Sequence, residues 1–204
     1  MSPDLERRFH TAFSIHRGSW MSKIRHRHIT LVYSKLLELA LRIIVLSVKR
    51  KVRLLWGEQM TVIYPEPGAM GIARYGFYSE GVSSLLLGHL KPGMTFIDVG
   101  AHIGYFTLLA AWLVGDTGQV HSFEPTPNTF ECLSLNAGYK TNVHLNQMAV
   151  TSSPGMVTLN TFIPRFSGNN SIYQFEVRKA FRPKQLTNVQ STSIDEYVNQ
   201  NTLS

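Results

Sequence analysis

Only one of the 204 residues is a cysteine, Cys132. A disulfide within the chain and a cysteine-rich zinc site are therefore excluded. A lone cysteine reads first as a small buried apolar residue and fits a reducing, cytoplasmic setting. Charge is also scarce, 16% of the residues, and acids are fewer (13) than Lys and Arg (20). The formal charge of +7 is unevenly laid out, because residues 1–56 hold 12 Lys/Arg and 3 Asp/Glu while residues 57–204 hold 8 and 10. Basicity thus belongs to an N-terminal arm and not to the body. No apolar run reaches the ~20 residues a membrane span needs, since Leu36 to Val48 is interrupted by Glu38 and Arg42. The first apolar stretch starts near Leu31, too late for a secretory signal. Internal repeats and low-complexity blocks are missing too. What is present is enough apolar residue, 44%, to build a core.

Residues 1–30 are polar, basic and without sustained periodicity, so they are expected to be poorly ordered. Residues 31–53 are expected to be helical, with Leu36, Leu39, Ile43 and Leu46 on one face. Lys49-Arg50-Lys51 and Arg53 follow. Such a helix can lie on an anionic membrane surface or pack on the body with a solvated basic end. The arm carries no nucleic-acid-binding motif, and nucleic acid is not expected as a partner. Residues 1–56 are read as this arm and residues 57–204 as the body.

In the body, Gly57–Tyr64 reads as a short strand and Val82–Leu87 as part of a helix, before the turn Lys91-Pro92-Gly93. A βαβαβ pattern then fills residues 94–150. Met94–Val99 is an apolar run expected to be buried on both faces. Ile103, Phe106, Thr107, Ala110, Ala111 and Val114 mark an amphipathic helix. Gln119–Phe123 is a second strand. Thr126 is placed to cap a helix with Pro127 at its first turn, and Phe130, Leu133 and Ala137 are expected on its inner face. Val143–Val150 is a third strand. Beyond it, Val157 and Leu159 alternate as in an antiparallel strand to which residues 187–192 can pair back. Ser167–Ser171 reads as a turn. Ser193-Ile194-Asp195-Glu196 reads as a capping box.

The chemistry lies where the first strand meets its helix, Phe-Ile-Asp-Val-Gly-Ala-His-Ile-Gly-Tyr-Phe-Thr (96–107), and where the second strand ends, at Val-His-Ser-Phe-Glu-Pro (120–125). A glycine turn between strand and helix, then an acid at the next strand tip, is how parallel α/β sheets hold adenosine cofactors. Gly100 and Gly104 let a ligand and the helix come close. The dinucleotide fingerprint Gly-x-Gly-x-x-Gly is absent. Asp98 would repel a pyrophosphate at the helix N-terminus but suits a ligand with an ammonium group, as in S-adenosylmethionine. Glu124 can accept hydrogen bonds from both ribose hydroxyls. Each residue has an ordinary alternative: turn glycines, a cap, a surface acid. An NAD-type dehydrogenase stays open as a lesser reading.

These motifs, with the Phe-Glu-Pro-Thr-Pro-Asn-Thr-Phe and Asn-Gln-Met-Ala-Val runs and the upstream Gly-Phe-Tyr-Ser-Glu-Gly and Leu-Lys-Pro-Gly-Met, resemble FkbM-type methyltransferases over about residues 57–198. The resemblance implies an α/β, Rossmann-like class I methyltransferase sheet. It also implies S-adenosylmethionine as cofactor and O-methylation of a hydroxyl on a sugar or secondary metabolite. Asp98, Gly100, Ala101, His102 and Gly104 would then line the methionine end, Glu124 the ribose, and Met148–Ala149 the adenine. The family more often has Asn at the place of His102. No general base and no metal ligands are assigned. The family pattern continues into a fourth strand of the Lys-Ile-Asp-Val-Glu-Gly type, which Ser204 precedes. The sheet is therefore expected to be incomplete, with 94–99 as an unpaired edge. A non-catalytic remnant acting as a binding or membrane-surface module through the basic arm is the alternative.

Overall fold

The computed structural model describes residues 3–19, 36, 39–40, 47–162, 168, 170, 172 and 185–203. They form two compact units, Met1–Gly88 and His89–Ser204.

The first unit opens with α1 (Pro3–Arg17), where disorder was expected. Proline starts it, Asp4 and Glu6 lie in its first turn and His16 and Arg17 in its last, matching the helix dipole at both ends. Leu5, Phe9, Ala12 and Phe13 are buried. That i, i+4, i+7, i+8 stripe is a helical signal, thin because polar residues fill most of the remaining positions. Phe9 stacks on Trp56 at 6.3 Å and Phe13 meets Phe77 edge-on at 4.8 Å. The helix expected to run to residue 53 does not: Val48–Arg53 is a strand, β1, antiparallel to β2 (Gln59–Tyr64). Val-Lys-Arg-Lys-Val-Arg alternates half-buried with exposed positions, and this period of two overrides the helical period upstream. Leu36 and Leu39 are helical and exposed. Ile43 and Leu46 lie outside the described residues.

Two helices follow, α2 (Pro67–Tyr75) and α3 (Glu80–His89). The second was expected; the first was not. Glu66 caps α2 by accepting from the Ala69 N–H at 2.6 Å, Pro67 opens it, and Gly76 closes it at φ 75°.

In the second unit, β3 (Thr95–Val99), α4 (Tyr105–Val114), β4 (Gln119–Phe123), α5 (Pro127–Ala137) and β5 (Val143–Asn146) form the expected alternation. The sheet is parallel, in the order β3-β4-β5. Ala110, Ala111, Val114 and Val120 make its core, with Leu90, Phe96 and Val143 packed around them. α4 is less amphipathic than its pattern: Leu108, Leu109 and Ala110 are all fully buried, and three successive residues span most of a helix circumference. β3 was expected to be buried on both faces, yet Val99 is 55% exposed and Met94 42%. The described sheet gives β3 a neighbour on one side only, the partial sheet that was expected.

Beyond β5 come β6 (Ala149–Val150), β7 (Gly155–Thr161), β8 (Gln185–Thr192) and α6 (Ile194–Asn201). β8 pairs antiparallel with β7 and parallel with β6, giving a second sheet in the order β6-β8-β7. The expected third strand to Val150 is therefore two strands serving two sheets. Ser193 caps α6 by accepting from the Glu196 N–H at 3.2 Å, as its capping box predicts. The turn expected at 167–171 lies largely outside the described residues. Among the described residues no helix is long and apolar enough to cross a membrane.

Candidate cofactor site

β3 delivers Asp98 to the start of α4 by simple register. Asp98 pairs with Ser122 of β4, so both side chains point to the face that α4 covers. Thr107, one turn into α4, joins them: its hydroxyl lies 2.7 Å from Asp98 Oδ2 and 2.9 Å from Ser122 Oγ. The Thr107 backbone N–H also donates to the Asp98 carboxylate. A carboxylate of this chain thus occupies the helix N-terminal position that would otherwise attract a phosphate. Asp98 is 7% exposed. Burial pushes its pKa up to about 6, Glu124 nearby adds to the rise, and the Thr107 hydrogen bonds oppose it.

The glycine turn closes on itself. The N–H groups of Gly100 and Ala101 both donate to the Phe123 carbonyl at 2.9 Å. The His102 N–H donates to Glu124 Oε2 at 3.0 Å, and Gly104 N–H to the Ala101 carbonyl at 2.8 Å. Gly100 (φ 78°), His102 (φ 53°) and Gly104 (φ 94°) all sit in the left-handed region. In front of Gly100 there is open space, whereas a Cβ at Gly104 would come within 2.6 Å of Leu133 Cδ1. Gly104 is therefore a packing glycine and Gly100 an access glycine. Gly104→Ala is expected to destabilise the second unit by roughly 1–3 kcal/mol, through left-handed strain plus displacement of a fully buried leucine. Denaturant unfolding measures it, and an unchanged midpoint would refute the packing role.

Glu124 sits at the tip of β4, 6% exposed. Its Oε1 accepts from the Thr126 N–H at 2.9 Å while Oε2 takes His102. Each oxygen keeps a second lone pair for an incoming hydroxyl. Thr126 does occupy the position before α5, but its side chain caps no helix N–H. Its hydroxyl accepts instead from Asn170 Nδ2 at 3.1 Å. Leu133 and Ala137 are fully buried, Phe130 half-buried.

The structure brings Asp98, Gly100, Ala101, His102, Gly104 and Glu124 together. Ala149 is apart in its packing: it is buried with Leu159 and Val189 in the second sheet's core. Thr107, which holds Asp98, and Ser122, which bonds Thr107, were not singled out from the sequence as site residues. Their signal is the register itself, since a buried strand acid needs hydroxyl partners on the same face.

On the opposite face of β4, His121 is 2% exposed. Its Nδ1 lies 2.9 Å from the Tyr197 hydroxyl on α6 and its Nε2 3.2 Å from Gln119 Oε1, while its ring stacks on His144 at 4.5 Å. Desolvation first, then His144, lowers its pKa to about 4. The role is structural, tying α6 to the sheet. Because the folded pKa lies below the ordinary 6.5, stability present above pH ~6.5 is lost as pH falls toward ~4. His121→Gln should flatten that acid loss in pH-resolved unfolding. An unaltered slope would contradict the assignment. Cys132 is fully buried beside Asn136, as its residue type suggested. Among the described residues no cluster of three His, Cys, Asp or Glu side chains could hold a metal ion.

Comparison with known proteins places the chain in a family. The profile of the FkbM methyltransferase domain family matches residues 98–204. A curated relative, 31-O-demethyl-FK506 methyltransferase FkbM of Streptomyces tacrolimicus, is 40% identical over 76 residues, 37% of this chain and 28% of that protein. The match thus spans little more than a quarter of the relative's length. Solved structures with a local likeness include a SAM-dependent O-methyltransferase of Thermotoga maritima (21% identical, covering 51% of this chain and 43% of that one, TM-score 0.34). Aeropyrum pernix fibrillarin with natively bound S-adenosyl-L-methionine is another (18%, covering 34% and 32%, TM-score 0.31).

Proposed function

The chain belongs to the FkbM methyltransferase family, and from that premise we propose that it binds S-adenosylmethionine at the β3–α4 turn and serves methyl transfer to a hydroxyl. One observation carries the cofactor reading. The N–H groups of Gly100, Ala101 and His102 already donate inside the protein, and the Thr107 N–H goes to Asp98. The turn therefore meets a ligand with two buried carboxylates. Such a site repels a pyrophosphate and favours an ammonium and a ribose diol, which argues against an NAD-type dehydrogenase.

In this reading Asp98 takes the ammonium, with Thr107 and Ser122 fixing its orientation. Gly100 leaves room for the methionine chain, and Glu124 accepts from the ribose hydroxyls while bracing the turn. When bound, the cofactor supplies an electrophilic methyl on a sulfonium. This chain's share is to hold that methyl in line with the acceptor, where positioning alone is worth several kcal/mol. A hydroxyl on a sugar or secondary metabolite is the acceptor class proposed. What supports it is the family and the curated relative, whose name carries an O-demethyl substrate.

Calorimetric titration with S-adenosylmethionine, S-adenosylhomocysteine and NADH tests the reading. Binding of the first two and not the third is expected. Binding of NADH alone would overturn it.

A further inference from the structure

The first unit holds a cleft of about 540 Å³ that the cofactor reading does not use. α1 contributes Arg7, Arg8 and Ile15 to its wall, the end of β1 and the following turn contribute Arg53 and Leu55, and α2 contributes Tyr75. No Asp or Glu is among the described lining residues. Arg8 is paired with Asp4, at 2.9 Å on an exposed surface, a contact of little strength. Arg53 uses Nε on the Gly57 carbonyl at 3.3 Å. Arg7 has no hydrogen bond or ion pair among the described residues.

Arg7 and Arg53 thus line the cleft without an ion pair among the described residues, and planar guanidinium forks suit phosphate oxygens. The volume decides what kind of phosphate. A cleft of about 540 Å³ is drug-sized and far larger than a bare ion needs. Ile15, Leu55 and Tyr75 give the remainder an apolar lining. We propose that this cleft binds a phosphate carried on an apolar body, the chemistry shared by an anionic phospholipid headgroup and a free phosphorylated metabolite. The site is independent of the cofactor turn, and the test below does not depend on methyl transfer.

The whole chain is titrated with dihexanoyl phosphatidic acid below its micelle concentration and with inorganic phosphate. It is also co-sedimented with phosphatidylcholine vesicles with and without phosphatidic acid. The short-chain lipid is expected to bind. Arg7→Ala and Arg53→Ala, both exposed positions with folding checked by circular dichroism, should each weaken it about tenfold. Lys51→Ala removes the same charge outside the cleft and should leave binding unchanged. Sedimentation with phosphatidic acid vesicles, lost in Arg7→Ala, identifies a lipid source. Short-chain binding without sedimentation identifies a soluble one. Equal weakening by Lys51→Ala would show diffuse charge and overturn the site. Inorganic phosphate binding as tightly as the lipid would overturn the apolar part, and no binding of any probe would overturn the whole.

Discussion

Asp98→Asn is expected to stabilise the free protein at pH 7.5 by roughly 3 kcal/mol while weakening S-adenosylmethionine binding at least about 100-fold. The two effects share one cause. The Asp98 carboxyl is held at a pKa of about 6 against an ordinary 3.8, chiefly by burial. Protonation is therefore favoured in the folded state. The stability this brings is complete below pH ~3.8 and lost as pH rises through ~6. At pH 7.5 the ionised group is a buried charge held by hydrogen bonds from Thr107. Asparagine keeps an acceptor for Thr107 and removes the charge. The fold gains, and the ammonium loses its counter-ion. Thermal unfolding and calorimetry on the same sample measure both. A variant that loses stability together with binding would show Asp98 to be structural.

Glu124→Ala should also abolish cofactor binding, by about 100-fold or more, but with the opposite effect on the fold. Its two oxygens hold the His102 and Thr126 N–H groups. Truncation removes the acceptor of the buried Thr126 N–H and of the half-buried His102 N–H, at about 1–3 kcal/mol for the buried donor and less for the other. It also removes one tie on His102, whose backbone sits in the left-handed region (φ 53°), a conformation that costs energy to hold. A loss of roughly 2–4 kcal/mol in unfolding free energy is expected. Two neighbouring acids would then be separated by the sign of their stability effect. A Glu124→Ala variant that is neutral for folding would mean that the brace is not what holds the turn.

The turn that gathers Asp98, the two glycines and Glu124 was legible because these residues lie within 27 positions and local strand–helix register assembles them. Asp98, the two glycines and Glu124 each follow from where a strand ends. Ala149 was harder, because a two-residue strand that changes sheets leaves no period to read. Its side chain ended up in a different core. The N-terminal misreadings have a similar origin. α1 buries only a thin stripe, and its partners Trp56 and Phe77 are tens of residues away in sequence. β1 carries four cations in six positions, which hides an alternation that only pairing with β2 makes visible. In α2, Gly68 and Gly71 masked a helix whose start was nonetheless marked by Glu66 and Pro67. Tertiary partners, not local propensity, decided each case.

The site turns on one assignment: the buried Asp98, in its ionised form, receives the ammonium. The affinity for S-adenosylmethionine from about pH 5 to about pH 9 tests it most directly. A bell-shaped profile is expected. Its acid flank falls about tenfold per unit below pH ~6 as Asp98 takes up its proton, and its alkaline flank begins near ~7.8 as the ligand's α-amino group loses one. An affinity that stays flat from about pH 5 to about pH 7 would contradict it.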